Sequence, residues 1–270
     1  MTPVQQSNKA ARTRFGAALA AACVVVAIAT GAGPALGQQP AAGTAAQRDA
    51  KAMDALAAMG KYLRSLKAFA VRADTVTDEV LTTGQKLQFA GTVDYLVQAP
   101  DRLRADVRND RRQRVFIYDG RTVTLNSPRM QYYGTIAAPG TIAEALQVAE
   151  QKYDLDVPLA DLFLWGTDKG GLEDIKEAAF IGPASIGGKA CDHYAFREDD
   201  VDWQVWIRQG NQPLPCKIVI TTTAEPSQPQ YAAVLAWNLA PKIDKSSFTF
   251  SPPKGARKIA IAPAAAARKN

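Results

Sequence analysis

The spacing of apolar residues changes once near the start of the chain and changes back twice. Between residues 47 and 67, Ala50, Met53, Leu56, Met59, Leu63 and Leu66 recur at three- and four-residue intervals among Lys and Arg, which predicts one amphipathic helix. From Phe69 the period becomes two. In KLQFAGTVDYLV (86–97), Leu87, Phe89, Gly91, Val93, Tyr95 and Val97 alternate with Lys86, Gln88, Thr92 and Asp94, the pattern of a strand with one wet face. RLRADVR (102–108) repeats it. In RVFIYDGRTVTL (114–125) the pair Asp119-Gly120 joins two β-branched runs, because Asp-Gly readily adopts the positive φ that tight hairpins need.

After Pro139 the helical spacing returns. TIAEALQVAEQKY (141–153) opens with Thr141 and Glu144, a capping box, and sets Ile142, Leu146, Ala149 and Tyr153 on one side. PLADLFLW (158–165) is a shorter apolar piece. Strands then resume in AAFIGPASI, KACDHYAFR, VDWQVWIRQ, CKIVITTT and QYAAVLAWNL. Two meanders with helices segregated from them predict an α+β fold: a curled antiparallel sheet, an incomplete barrel with helices on its concave face.

Lys9, Arg12 and Arg14 precede the apolar run FGAALAAACVVVAIAT, and ALGQ (35–38) offers a small-x-small cleavage site, the order of an export signal. The run is short for a membrane span of roughly 20 residues. Cys23 falls inside it rather than at its end, which argues against lipid attachment there. The expected organisation is a signal peptide over 1–37, a linker over 38–46, one domain over 47–262 and a disordered tail over 263–270. The formal charge of +6 drops to +3 once the three basic residues of the signal are removed. That is too weak for a nucleic-acid footprint, but compatible with peripheral contact with anionic lipid.

CDHYAFREDDVDWQVWIRQGNQPLPC (191–216) holds His193, the single histidine of the chain, and two of its three cysteines. A turn at Glu198–Val201 sets Tyr194 opposite Val205, Phe196 opposite Trp203 and His193 opposite Trp206. One histidine and one nearby cysteine do not supply the three or four converging ligands of a metal site, and the acidic turn lacks the spaced ligands of a calcium loop. Cys191 and Cys216 fall on opposite edges of one strand, two strand spacings or roughly 9–10 Å apart, beyond the roughly 7 Å reach of a disulfide. No bridge, metal, cofactor or catalytic residue is therefore expected. The sequence also lacks a nucleophile elbow, a phosphate loop and a dinucleotide fingerprint.

The hairpin in YDGRTVTLNSPRMQYY, the helical interruption at 141–165, CDHYAFR followed by DWQVWI, and the ending SSFTFSPPKGARKI resemble a family of predicted periplasmic proteins related to the lipoprotein-carrier superfamily of LolA, LolB and LppX. The resemblance implies an incomplete barrel whose space between sheet and helices accepts acyl chains, and hence a non-enzymatic periplasmic carrier of a lipid or lipid-modified ligand. It also implies an alternative, a cell-envelope sensor or scaffold acting through protein contacts, as in some sigma-factor regulators with a similar domain. The same residues either line such a cavity or fill a dry core, since alternating strands and amphipathic helices occur in both; on the sheet the candidates are Leu87, Phe89, Val93, Tyr95, Tyr194, Phe196, Trp203 and Val205. On the helical cover they are Ile142, Leu146, Leu162, Phe163 and Trp165. A separate band, Arg102, Arg104, Arg108, Arg111, Arg112, Arg114, Arg121 and Arg129, is either a solvated strand face or a lure for anionic head groups.

Overall fold

A computed structural model describes residues 47–244 and 246–264. The expected signal peptide, the linker, Cys23 and all but the first two residues of the expected tail lie outside the described residues.

Alternation of apolar and polar side chains builds two antiparallel meanders. The first comprises β1 (Ala68–Val80), β2 (Lys86–Gln98), β3 (Arg102–Asn109), β4 (Gln113–Tyr118), β5 (Thr122–Ser127) and β6 (Tyr132–Ala137). The second comprises β7 (Glu177–Ile186), β8 (Lys189–Arg197), β9 (Val201–Arg208), β10 (Pro215–Thr222) and β11 (Gln230–Asn238). They fuse where β1 pairs with β11, and a two-residue strand, β12 (Arg257–Lys258), adds in parallel to β6. The order is β12-β6-β5-β4-β3-β2-β1-β11-β10-β9-β8-β7, so the sheet is not closed into a barrel. Both free edges are partly covered, as long sheet edges generally must be. The chain at 47–49 bonds to β7 through Ala178 N to Gln47 O and Asp49 N to Ala178 O, while β12 shields β6.

Among the described residues three α-helices accompany the sheet: α1 (Ala50–Ser65), α2 (Ile142–Tyr153) and a single turn, α3 (Asp161–Leu164). Helix α1 starts at Asp49, whose carboxylate accepts from Lys51 N and also from Phe180 N of β7, so its cap ties it to the sheet. It buries Ala52, Leu56, Met59, Gly60 and Leu63; of the expected stripe Leu56, Met59 and Leu63 are buried, Met53 and Leu66 half-buried and Ala50 exposed. Helix α2 carries the expected box, Thr141 and Glu144 each accepting from the other's backbone. The core lies between these helices and one face of the sheet: Phe69, Val71, Val93, Tyr95 and Val97 from β1 and β2, Tyr194, Phe196, Trp203 and Val205 from β8 and β9. Burying one such side chain contributes roughly 1.5–3 kcal/mol.

The cysteine expectation is corrected. Cys191 and Cys216 form a disulfide with a Cα–Cα distance of 7.0 Å. Cys191 pairs with Arg208 as the counting requires, but the register of β10 on β9 slips between Pro215, opposite Ile207, and Lys217, opposite Trp206. Cys216 is the extra residue of that bulge. A bulge bends its strand and frees one residue from the ladder, which carries Cys216 across to Cys191. The bridge therefore spans β9 at Ile207.

Candidate functional site: a concave face with an arginine-lined end

The helical segment between the meanders lies on the concave face. Phe163 of α3 sits 6.3 Å from the Phe69 ring and 5.3 Å from that of Tyr95, and Trp165 stacks on Trp203 at 5.7 Å, so one short segment touches both halves of the sheet. Polar ties hold it. Arg64 of α1 donates to the carbonyls of Leu162 and Phe163, and the Tyr95 hydroxyl donates to Pro158 O. Gly60 and Gly166 meet backbone to backbone: a Cβ on Gly60 would lie 2.6 Å from Gly166 N.

The candidate residues Val93, Tyr95, Ile142, Leu146, Leu162, Phe163, Trp165, Tyr194, Phe196, Trp203 and Val205 come together as one packed cluster. The void left among α2 and β3–β5, edged by Leu103, Phe116, Tyr118, Ile142, Leu146 and Val157, measures about 10 Å³, near the minimum for one water. Leu87 and Phe89 differ. They are only half-buried, at the start of β2, where burial is less complete than from Val93 onward. In register with Phe89 across Thr77 stand Tyr231, Ile220 and Trp203, and two rows inward lies Val107 opposite Val93. Tyr231, Ile220 and Val107, with Leu125 of β5, are packed against the core yet incompletely covered.

Beside this apolar margin arginines gather. Asn109 Oδ1 accepts from the backbone N–H of Arg111 and Arg112 and so shapes the β3–β4 turn. Beyond the turn, Arg114 pairs with Val107 and takes the concave side of β4. With Gln113, Ser127 and Arg129, these arginines line a cavity of about 340 Å³, and Met130, 64% exposed, stands at its lip. Arg111 bonds Glu79 at 2.7 Å and lies 5.1 Å from the Phe89 ring centroid. Arg129 donates to Asp110 O at 2.6 Å.

Desolvation lowers the Arg114 pKa, the neighbouring Arg112 lowers it further, and Asp156 opposes both. Asp156 belongs to the loop joining α2 to α3. Its carboxyl is held above the usual range first by desolvation and then by Asp161 and Asp154, with Arg114 pulling the other way. Tyr231 is pushed up by burial and by Asp156, and its hydroxyl is buried with no hydrogen-bond partner among the described residues. Asp156 and Tyr231 carry no signal in the sequence: neither belongs to a motif.

The rest of the arginine band serves the other face. Arg108 bonds Asp94 at 2.7 Å, Arg72 reaches the same carboxylate at 3.2 Å and Arg104 bonds Asp106 at 3.0 Å, all substantially exposed. Exposed pairs of this kind contribute about 0–1 kcal/mol each. His193 stacks on Trp206 with 4.0 Å between ring centroids, and its Nε2 lies 3.0 Å from Gln204 Oε1. With Cys191 committed to the disulfide, a Cys191–His193 nucleophile pair is ruled out. No cluster of three or more His, Cys, Asp or Glu suited to a metal ion occurs among the described residues.

Among solved structures, the chain is similar to the lipoprotein LppX of Mycobacterium tuberculosis, with 13% identity, 73% of this chain and 100% of that one covered, and a TM-score of 0.44. LprF of Mycobacterium bovis gives 14% identity, 78% and 99% coverage and 0.44. A LolA superfamily protein of Nitrosomonas europaea gives 13%, 74% and 97%, and 0.36. A comparison with curated proteins finds no match. Residues 52–262 match DUF2092, described as predicted periplasmic protein; the chain belongs to that family, and the periplasm is its compartment.

Proposed function

We propose that the protein is a periplasmic carrier or binding protein for an acyl chain or lipid-modified ligand, working as one folded unit over 47–262 after loss of 1–37. It sequesters the chain from water on the concave face and performs no chemistry. The observation that supports this reading is the apolar margin of Phe89, Val107, Leu125, Ile220 and Tyr231, incompletely covered and, for the last four, packed against the core. Apolar surface open to water on a concave face costs about 25 cal/mol per Å², a cost that a bound chain removes. The 10 Å³ void under α2 is far too small for such a chain. Deep entry therefore requires the 141–176 segment to lift, which exposes Phe163, Trp165 and the sheet beneath.

The test is native and lipid mass spectrometry on the exported protein, followed by titration of the delipidated protein with acyl-chain probes. Stoichiometric lipid, or saturable probe binding that quenches Trp165 and Trp203, supports the carrier. Absence of both overturns it and directs the search to protein partners in the envelope.

A further inference from the structure

The carrier reading leaves open what kind of head group the ligand bears. We propose that the cavity formed by Arg112, Arg114 and Arg129 at the open end of the concave face binds an anionic head group, a phosphate or carboxylate, of the amphiphile whose chain lies along Phe89, Val107 and Leu125. This rests on the carrier reading and adds the ligand's charge to it.

Position comes first. Arg114 stands directly opposite Val107 on the concave face, and Phe116, two residues on, is buried in the core. A chain lying on the core side of this row thus ends within one residue of a guanidinium. The volume of about 340 Å³ is in the range of small-molecule sites and ample for a head group.

The electrostatics point the same way. The fold holds Arg112 close enough to Arg114 for their like charges to oppose each other, in a place where Arg114 is also partly desolvated. An anion between them offsets that repulsion. Planar guanidinium groups hold phosphate and carboxylate through paired N–H donors, with an energy that a point charge does not match. Ser127 and Gln113 add neutral donors. Glu79 engages Arg111, and the charge of Asp156 acts on Arg114. Asp156 sits on the covering segment, so an anion on Arg114 competes with the attraction between that guanidinium and the Asp156 carboxylate.

Isothermal titration of the delipidated exported protein with hexadecyl phosphate, palmitate, hexadecanol, hexadecyltrimethylammonium and inorganic phosphate tests this. The expected result is hexadecyl phosphate and palmitate binding about tenfold or more tighter than hexadecanol, with the margin shrinking as salt rises. Arg129→Gln, at an exposed position that leaves the fold intact, and Arg114→Gln should each cut that margin several-fold while hexadecanol affinity stays put; thermal melts check both variants for folding. Equal affinity for the alcohol and the anions, or a margin untouched in both variants, overturns the head-group site and leaves the carrier standing. Inorganic phosphate binding as tightly as hexadecyl phosphate overturns it in favour of a free anion. Failure of every amphiphile, including hexadecanol, brings down the carrier reading itself.

Discussion

Cys191 of β8 and Cys216 of β10 are bonded across an intervening strand, β9, with their Cα atoms 7.0 Å apart. The bond closes a loop with a sequence separation of 25 that contains most of the β8–β9 hairpin and the turn to β10. In the chain-entropy view a loop of that length restricts the unfolded chain by about 3.5 kcal/mol, and the oxidising periplasm keeps it closed. Cys191→Ser with Cys216→Ser, or reduction under native conditions, should lower unfolding free energy by about 2–4 kcal/mol in urea melts. An unchanged midpoint would show that the bulge at Cys216 holds the two strands together unaided.

Gly60 and Gly166 let the backbones of α1 and of the loop after α3 touch. A Cβ on Gly60 would sit 2.6 Å from Gly166 N and 2.9 Å from its Cα, both backbone atoms that cannot swing aside. In an ordinary helix Gly→Ala gains up to about 1 kcal/mol. Here the clash should reverse the sign: Gly60→Ala is expected to destabilise by about 1–3 kcal/mol. Hydrogen exchange should quicken over 160–170, because the contact that seats α3 is the one broken. Stabilisation by Gly60→Ala would mean that the two segments separate freely.

The sheet was legible because pairing arithmetic is local. A turn at Glu198–Val201 fixes Tyr194 opposite Val205 and Phe196 opposite Trp203, and both pairs form. The capping box at Thr141 was legible for the same reason. The disulfide was not, since a bulge adds one residue without leaving a mark in the alternation of CKIVITTT. Arg114 was hidden differently. Val115 and Ile117, on the other face of its strand, are buried too, and Phe250 of the C-terminal stretch packs on Tyr133 on that same face. A strand apolar on both sides does not reveal which side its first arginine takes. Nothing periodic marks Asp156, whose position depends on how a loop lies across a sheet formed by residues far away in sequence.

His193 offers an isolated reporter, since it is the single histidine. Its ring stacks on Trp206 at 4.0 Å; burial lowers its pKa below the ordinary 6.5, Lys217 pushes the same way and the bond to Gln204 opposes them. The folded state thus favours the neutral ring, so its contribution to stability is present above pH 6.5 and falls away as pH drops through the folded pKa. Proton NMR should find one imidazole titrating below 6.5. Trp206→Ala uncovers the ring and should move that value upward. A wild-type value at or above 6.5 would contradict the stacking geometry.

Asp156 titrates with the opposite sign. Its carboxyl is raised above 3.8, chiefly by desolvation, so the folded state prefers the neutral acid. Stability from this group is therefore complete below pH 3.8 and is lost as pH rises through the folded pKa. Asp156→Asn keeps the shape and removes the titration. The melting temperature of the variant relative to wild type should accordingly rise between about pH 3 and about pH 7, with the gain levelling off once wild-type Asp156 is fully ionised. The interaction with Arg114 works against this gain, and Arg114→Gln separates the two effects. In that background Asp156 has lost the charge that favoured its ionised form, and Asp156→Asn should stabilise more at neutral pH than it does in wild type. If the substitution instead destabilises at neutral pH, and does so only while Arg114 is present, then attraction between the two charges outweighs desolvation and Asp156 is a latch that holds the cover on the sheet.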